Sequence, residues 1–111
     1  MSKQIVIRDA ETGKAYTLEY TRRTIEMMEK NGFMLSEFTE KPVTNLPALF
    51  AGAFLANHKF IKKETVDNLY SQIKDKQSLI EKLAEMYNEP IQALFEDPAD
   101  NQGNVTWEAN W

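Results

Sequence analysis

This sequence lacks most of the residues from which catalytic and metal sites are built. Cysteine is absent, and histidine occurs once, at His58. A disulfide framework, a thiolate metal site and a cysteine nucleophile are therefore excluded. A Ser–His–acid triad would have to use His58, and zinc would lack its usual ligands. The few glycines form neither a GxxxxGK(S/T) loop nor a GxGxxG motif. We predict that the protein is not an enzyme and has no catalytic, cofactor-binding or metal-binding residues.

Long hydrophobic runs are also missing. The longest candidate, LPALFAGAFLA, falls short of the ~20 apolar residues that span a membrane. The opening stretch, MSKQIVIRDAETGK, has no apolar core of a signal peptide. We expect a cytoplasmic protein that does not bind a membrane.

Basic residues are missing from positions 83–111. That part carries six acidic side chains, and the whole chain has a formal net charge of -4. Negative charge repels both the phosphates of nucleic acids and anionic lipids. We therefore expect neither nucleic acid nor membrane among the partners.

The first third of the chain predicts a β-hairpin followed by a short helix. Residues 4–8, QIVIR, form a β-rich run, and residues 16–21 alternate between apolar and polar side chains. The stretch DAETGK between them supplies turn residues. We place the hairpin at about 4–20 and expect Thr21 to cap a helix that ends near Lys30.

The strongest helical pattern covers residues 46–57, after the break TEKPVT. Thr44 or Asn45 can cap this helix, and Pro47 would lie in its first turn. Glycine and alanine within it allow close approach by another helix. We predict that this is the central core helix and part of an oligomer or client groove. Its apolar positions lie about one turn apart, at Leu46, Leu49, Phe50, Ala53 and Phe54.

Two further amphipathic helices follow, at about 63–74 and from a cap at Asp75 to residue 95. Pro90 lies inside the second pattern, so we expect a kink or a new helix there. Because the two helices are joined by a short turn and carry several lysines, a DNA-binding helix-turn-helix is an alternative interpretation. The helical domain is predicted to span residues 1–96, and residues 97–104 form an acidic linker.

The segment 105–111 has a different character. Its apolar residues alternate with polar ones, and both tryptophans of the protein lie here. A strand would place the apolar side chains on one face and the polar side chains on the other. We predict a short strand that either pairs with the hairpin and caps the core, or adds to a partner or to another copy of the chain. The apolar residues are Val105, Trp107, Ala109 and Trp111.

Together these patterns predict an α+β fold: a small, mostly α-helical domain with an N-terminal β-hairpin and a short strand-like C-terminal tail. Tryptophan is favoured as an interface anchor, and the apolar stripe of the central helix is the other candidate contact surface. The predicted partner-binding residues are Trp107, Trp111, Val105, Leu46, Phe50 and Phe54.

The layout resembles the tail assembly chaperones of tailed phages and prophages, particularly the Gram-positive siphophage type. Three stretches carry the resemblance: IVIRDAETGKAYTLEYTRRTIEMMEKNGF, KPVTNLPALFAGAFLANHKFIKKETVDNLY and GNVTWEANW. The first is similar to the hairpin-then-helix opening of that family. The second is similar to its proline-led core helix and following helix, and the third to its Trp-bearing tails.

This resemblance implies a function that the residues alone do not give. Such chaperones bind the long helical tape measure protein in the host cytoplasm, help to recruit tail tube subunits, and are absent from the mature virion. They commonly form homo-oligomers, and many are also made as a longer frameshifted product. A small DNA-binding regulator and a structural tail or connector protein are the alternative functions.

Overall fold

The structure is a computed structural model that describes residues 3–37, 40–96 and 105–111. The described part confirms a small, mostly helical α+β domain with an N-terminal hairpin. The elements in chain order are β1 (Ile5–Arg8), β2 (Ala15–Leu18), α1 (Arg22–Lys30), a short 3₁₀ helix (Leu35–Glu37), α2 (Pro42–Gly52), α3 (Lys63–Gln72) and α4 (Lys76–Ala93).

The hairpin forms at the predicted position. Strands β1 and β2 pair antiparallel, with Val6 opposite Thr17 and Ile7 opposite Tyr16. Its turn is built from local interactions: the Asp9 side chain accepts a hydrogen bond from the backbone N–H of Glu11. Gly13 has φ of 75°, a conformation that side chains disfavour, so glycine suits this position.

Helix α1 begins and ends as the sequence predicts. The Thr21 hydroxyl accepts a hydrogen bond from the Thr24 backbone N–H at 3.1 Å, and the Thr24 hydroxyl accepts one from the Thr21 N–H at 2.9 Å. This reciprocal pair satisfies backbone groups that a helix N-terminus otherwise leaves unpaired. Asn31 forms the C-cap, and Gly32 follows with φ of 91°.

Helix α2 begins earlier than expected. The prediction of a start at residue 46, with a cap at Thr44 or Asn45, is wrong: the first helical residue is Pro42. Proline suits a first helical position because its missing N–H has no partner there anyway. Asn45 is buried inside the helix, and its amide donates to the Glu37 backbone oxygen at 3.2 Å. Pro47 therefore lies within the helix rather than in its first turn. The helix ends at Gly52, and turns replace the predicted helix over 53–57.

Helices α3 and α4 lie where the apolar periodicity places them. Asp75 caps α4, as predicted: its carboxylate accepts from the Ser78 backbone N–H at 3.3 Å. Asp75 itself has φ of 54°, a left-handed conformation that aspartate tolerates better than most residues. Helix α4 continues through Pro90 to Ala93, so the alternative of a new helix beginning there is wrong. An interior proline removes one backbone donor and crowds the carbonyl four residues earlier, yet this helix runs on for three residues beyond Pro90.

Helix α2 is the central helix of the core, as predicted, and it contacts α1, α3 and α4. Its buried side packs Phe50 edge-on against Phe54, with ring centroids 5.1 Å apart. The Tyr20 hydroxyl donates a hydrogen bond to the Leu49 backbone oxygen, which joins the segment after β2 to α2. A Cβ atom at Gly52 would lie 2.4 Å from Met28 Cε, so glycine allows α1 its close approach.

The tail, residues 105–111, contains no strand. A strand is defined by hydrogen bonds to a neighbouring strand, and none is found for this segment among the described residues. The predicted linker, 97–104, lies outside the described residues. No described helix is both long enough and apolar enough to cross a membrane.

Candidate protein-binding surface

Helix α2 is apolar on both of its sides, although only one side is buried. Residues 42–57 contain no charged side chain. A helix that is hydrophobic all round is normally buried on every side. Here Leu49, Phe50 and Gly52 are buried, whereas the opposite side lies at the surface. We name that side the α2 outer face; it consists of Val43, Thr44, Pro47, Ala48 and Ala51.

The α2 outer face lies between two grooves. The groove on its α3 side has a volume of about 480 Å³, and its far wall includes Ile61 and Val66. The groove on its α1 side has a volume of about 260 Å³ and includes Met28 and Phe33. Both grooves share Thr44, Ala48 and Ala51. Since these side chains are short, an apolar helix can approach α2 closely there.

Charges lie only at the rim of the larger groove. Lys59, Lys63 and Asp67 contribute to its lining, and the rest of that lining is apolar apart from Thr44. Val43 at its edge is 87% exposed. Such a groove, with an apolar floor and a charged rim, suits the helix-in-groove mode of recognition.

A second apolar surface lies where α1 meets the end of α4. Ile25 and Ile91 line a groove of about 320 Å³, together with Pro90 and acidic residues of α1. Just beyond α4, Leu94 is 53% exposed and Phe95 is 86% exposed. This surface lies immediately before the residues that lead to the tail.

The tail side chains are almost fully exposed. Val105 is 88% exposed, Trp107 85% and Trp111 103%. Neither tryptophan takes part in a ring contact or hydrogen bond among the described residues. The tail is therefore not a cap on its own core in this structure, and its side chains are accessible to a partner.

The other predicted partner-binding residues are placed differently. Phe50 and Phe54 have no exposed surface, so they do not suit direct contact with a partner. Their spacing comes from packing in the core. A stripe that faces the core and a stripe that faces a partner have the same helical period, so the spacing alone does not tell them apart. Leu46 is half-buried and keeps some surface accessible.

His58 has a structural position between the hairpin and α2. Its Nε2 accepts a hydrogen bond from the Thr17 backbone N–H at 3.1 Å, and its ring packs edge-on against Tyr16. The adjacent Asn57 amide donates to the Thr17 backbone oxygen at 3.3 Å. The residues after α2 thus cover the outer edge of β2. The described residues contain no group of three His, Cys, Asp or Glu side chains that could hold a metal ion.

The shifted pKa values of charged groups belong to ion pairs at the surface. A hydrogen bond from Lys3, together with its charge, lowers the pKa of Glu85, and the same contact raises the pKa of Lys3. On α1, the hydrogen bond and charge of Lys30 lower the pKa of Glu26. The Lys3–Glu85 pair, at 2.9 Å, holds the start of β1 against α4.

Two buried tyrosines also have shifted pKa values. Burial, with the nearby Tyr87, raises the pKa of Tyr20 well above its usual value. Burial, with the charge of Glu29, raises the pKa of Tyr87 to about 12. These shifts follow from packing, since the two rings contact each other edge-on at 5.2 Å.

Two lysines of the suggested helix-turn-helix face make local contacts. The Lys76 ammonium donates to the Ile73 backbone oxygen at 2.9 Å, and Lys82 lies 3.8 Å from Glu85. Lys76 therefore caps a carbonyl oxygen at the end of α3, and Lys82 lies beside a carboxylate of its own helix.

Sequence reasoning predicted a groove on this helix but assigned its contact residues to the buried side, at Phe50 and Phe54, and so did not identify the α2 outer face. The sequence does carry a signal for this face. Residues 42–57 contain no charged side chain, whereas a helix with only one buried side normally carries charges on the other side. Reading its apolar periodicity alone identifies the buried side and leaves the other side unremarked.

Over its whole length, residues 1–111, the chain belongs to a family described as a domain of unknown function, DUF5055. Neither a curated protein nor a solved structure matches it.

Proposed function

We propose that the protein is a non-catalytic chaperone of phage tail assembly, which binds the tape measure protein in the host cytoplasm. Tail tube subunits are its second client, and it leaves before the virion is complete. The resemblance of the sequence to that chaperone family supplies the identity of the clients. Physical support comes from apolar surface that the fold itself does not need.

The observation that carries the proposal is the exposed side of an uncharged helix. The core is complete without Val43, Pro47 and Ala51, yet these positions remain apolar at the surface. Exposed apolar patches on soluble domains mark sites of interaction with partners. A long helical client with an apolar stripe fits the grooves on either side of these residues.

The tail supplies further apolar surface outside the core. Its two tryptophans are exposed, and tryptophan contributes more binding energy at interfaces than most side chains. A predicted linker of acidic and turn residues joins it to the domain, so it would reach a second copy of the chain and leave the α2 outer face free for the client.

The test is co-expression with a phage tape measure protein, followed by affinity capture. Ala51→Glu places a charge in the α2 outer face and is expected to reduce capture about tenfold or more, since a charge in an apolar contact costs at least ~1.4 kcal/mol. Ala10→Glu adds the same charge at the exposed hairpin turn and should leave capture unchanged.

Other outcomes separate the alternatives. Equal capture by wild type and Ala51→Glu would move the contact away from α2. No capture by the folded wild type would overturn the chaperone function. Salt-dependent binding to duplex DNA would then favour a regulator, and recovery from purified virions would favour a structural subunit.

A further inference from the structure

The hairpin has one covered edge and one open edge. In β2, the Thr17 N–H donates to His58 and its oxygen accepts from Asn57, so both groups point away from β1 and are satisfied. The next outward donor, the Glu19 N–H, donates to the Ala53 backbone oxygen at 3.0 Å. The residues after α2 therefore close this edge to any further strand.

The outer edge of β1 is open, and the register of the two strands shows which backbone N–H and C=O groups point outward from it. Thr17 lies opposite Val6, and since the Thr17 backbone groups point away from β1, the pair is a non-hydrogen-bonded one. The Asp9 N–H donates to the Lys14 oxygen at 2.9 Å, which fits the same alternation. The backbone N–H and C=O of Val6 and Arg8 thus point outward, and among the described residues they have no hydrogen-bond partner.

We propose that this edge of β1 binds the tail, residues 105–111, of a second copy of the chain, in a reciprocal strand exchange. A helical partner cannot use the edge, because a helix satisfies its own backbone groups. The edge needs an extended segment with free N–H and C=O groups. The tail belongs to no helix or strand, and among the described residues its backbone groups have no hydrogen-bond partner. Its alternation of apolar and polar residues suits an extended strand.

The alternation of the tail matches the faces of β1. Residues directly opposite each other in a sheet share a face, so a tail residue bonded to Val6 lies on its exposed face. Val6 is 60% exposed, whereas Ile5 and Ile7 pack against the core. Pairing Thr106, Glu108 and Asn110 with the exposed face places Trp107, Ala109 and Trp111 beside Ile5 and Ile7. A slip of one residue would reverse this and expose the tryptophans again.

Charge also favours this pairing. Arg8 is exposed on β1 and has no ion pair among the described residues. Glu108 is the acidic residue of the tail and likewise has none among them. The tail face that carries Glu108 is the face that meets Arg8. A basic residue on a short edge strand also discourages pairing with unmatched strands.

A second copy is the occupant because both halves of the contact are unpaired within one molecule. The tail does not lie on its own β1 in this structure, and its tryptophans remain exposed. Complementary segments left open in each copy are the condition for reciprocal exchange, which closes as a two-fold dimer. A third strand also stabilises the hairpin, since two strands alone are marginal.

Substitution at Val6 tests the edge directly. The Val6 N–H points outward, so Val6→Pro removes a donor from the open edge without breaking a bond of the hairpin. Sedimentation velocity across a concentration series should show a dimer for wild type and for Val6→Thr, and a monomer for Val6→Pro. Equal circular dichroism spectra establish that all three are folded. A wild-type monomer at every concentration, or a Val6→Pro dimer, would overturn the proposal.

Cross-linking identifies the occupant. The chain has no cysteine, so single cysteines can be placed freely. Val6→Cys mixed with Glu108→Cys should give a dimer with a short thiol cross-linker, at a yield about tenfold above Val6→Cys mixed with Ala109→Cys, whose side chain lies on the other face. A double variant carries both Val6→Cys and Glu108→Cys on one chain. If its cross-links form only within a chain and never between chains, the tail lies on its own β1 and the proposal is overturned. Failure of client capture with this cross-link intact would count against the chaperone function alone.

Discussion

The core at the end of α2 and the tail both carry large aromatic side chains, and the surroundings of these side chains are opposite. Phe50 and Phe54 have no exposed surface, whereas Trp107 is 85% exposed and Trp111 is 103% exposed. In both regions burial of the apolar side chains is favourable, and the free energy gained scales with the apolar area removed from water. In α2 the other helices supply the covering surface. In the tail no described element does, and the tryptophans are exposed to solvent.

Side-chain type alone does not distinguish a residue of the core from a residue of a candidate contact surface. Leu49 and Phe50 build the domain, while Val43 and Ala51 on the same helix lie at its surface. Substitutions in the first group should therefore change the free energy of unfolding. Substitutions in the second group and in the tail should change association instead.

The largest expected effect on stability comes from Phe54→Ala. Truncating this fully buried ring removes apolar contacts and leaves a cavity, which costs about 3–5 kcal/mol in the free energy of unfolding. Urea denaturation measures the loss. Phe60→Ala is the matched control, because Phe60 is 87% exposed and should change stability by less than ~0.5 kcal/mol. Equal losses in the two variants would contradict the division between core and surface.

A smaller effect is expected from Tyr20→Phe, which removes the hydroxyl that donates to the Leu49 oxygen. The loss of a buried hydrogen bond costs about 1–2 kcal/mol at neutral pH. Because burial raises the pKa of Tyr20, the unfolded chain loses this proton at a lower pH than the folded one. The free energy of unfolding should therefore fall as pH rises above about 10, and less steeply in Tyr20→Phe. Identical slopes in alkaline urea titrations would contradict this.

Asp75→Ala is expected to cost about 1 kcal/mol, because α4 loses the carboxylate that caps it. Alanine also tolerates the left-handed conformation at this position less well. Asp75→Asn keeps an acceptor and should stay close to wild type. Thermal denaturation compares the three proteins, and a loss in Asp75→Asn as large as in Asp75→Ala would mean that charge rather than capping matters.

The smallest expected effect on stability comes from the double variant Trp107→Ala, Trp111→Ala. Because both rings are exposed in the single chain, the free energy of unfolding should change by less than ~0.5 kcal/mol when measured at concentrations where the protein is monomeric. The dissociation constant of the dimer should rise about thirtyfold or more, as for loss of an interface anchor. A large loss of stability with unchanged association would instead make the tail a cap on its own core.

Much of the fold was predictable because its signals are local. The Thr21 cap, the Asn31–Gly32 end of α1 and the Asp75 cap all depend on residues within one helical turn. The sequence misplaces the start of α2 because proline is typical of a helix break, although it serves equally well as a first helical residue, as Pro42 does here. Nothing local distinguishes these two roles.

The candidate surfaces were harder to predict. Trp107 and Trp111 could be predicted as candidate contact residues because their position in an acidic, turn-rich part of the chain is unusual, and the structure shows that they are exposed. Phe50 and Phe54 could not be excluded, since a stripe that faces the core and a stripe that faces a partner have the same period. The α2 outer face depends on which side of an apolar helix the neighbouring elements cover.

Local signals in the sequence were enough for the order of elements, the hairpin turn, the caps of α1 and α4 and the alternation of the tail. These properties come from backbone conformations and hydrogen bonds between residues that are close along the chain. Only the tertiary structure decided which side of α2 is buried, that the residues after α2 close the edge of β2, and that β1 and the tail stay open. Those outcomes depend on contacts between distant segments, and a helix without charge carries no mark of the side that such contacts will cover.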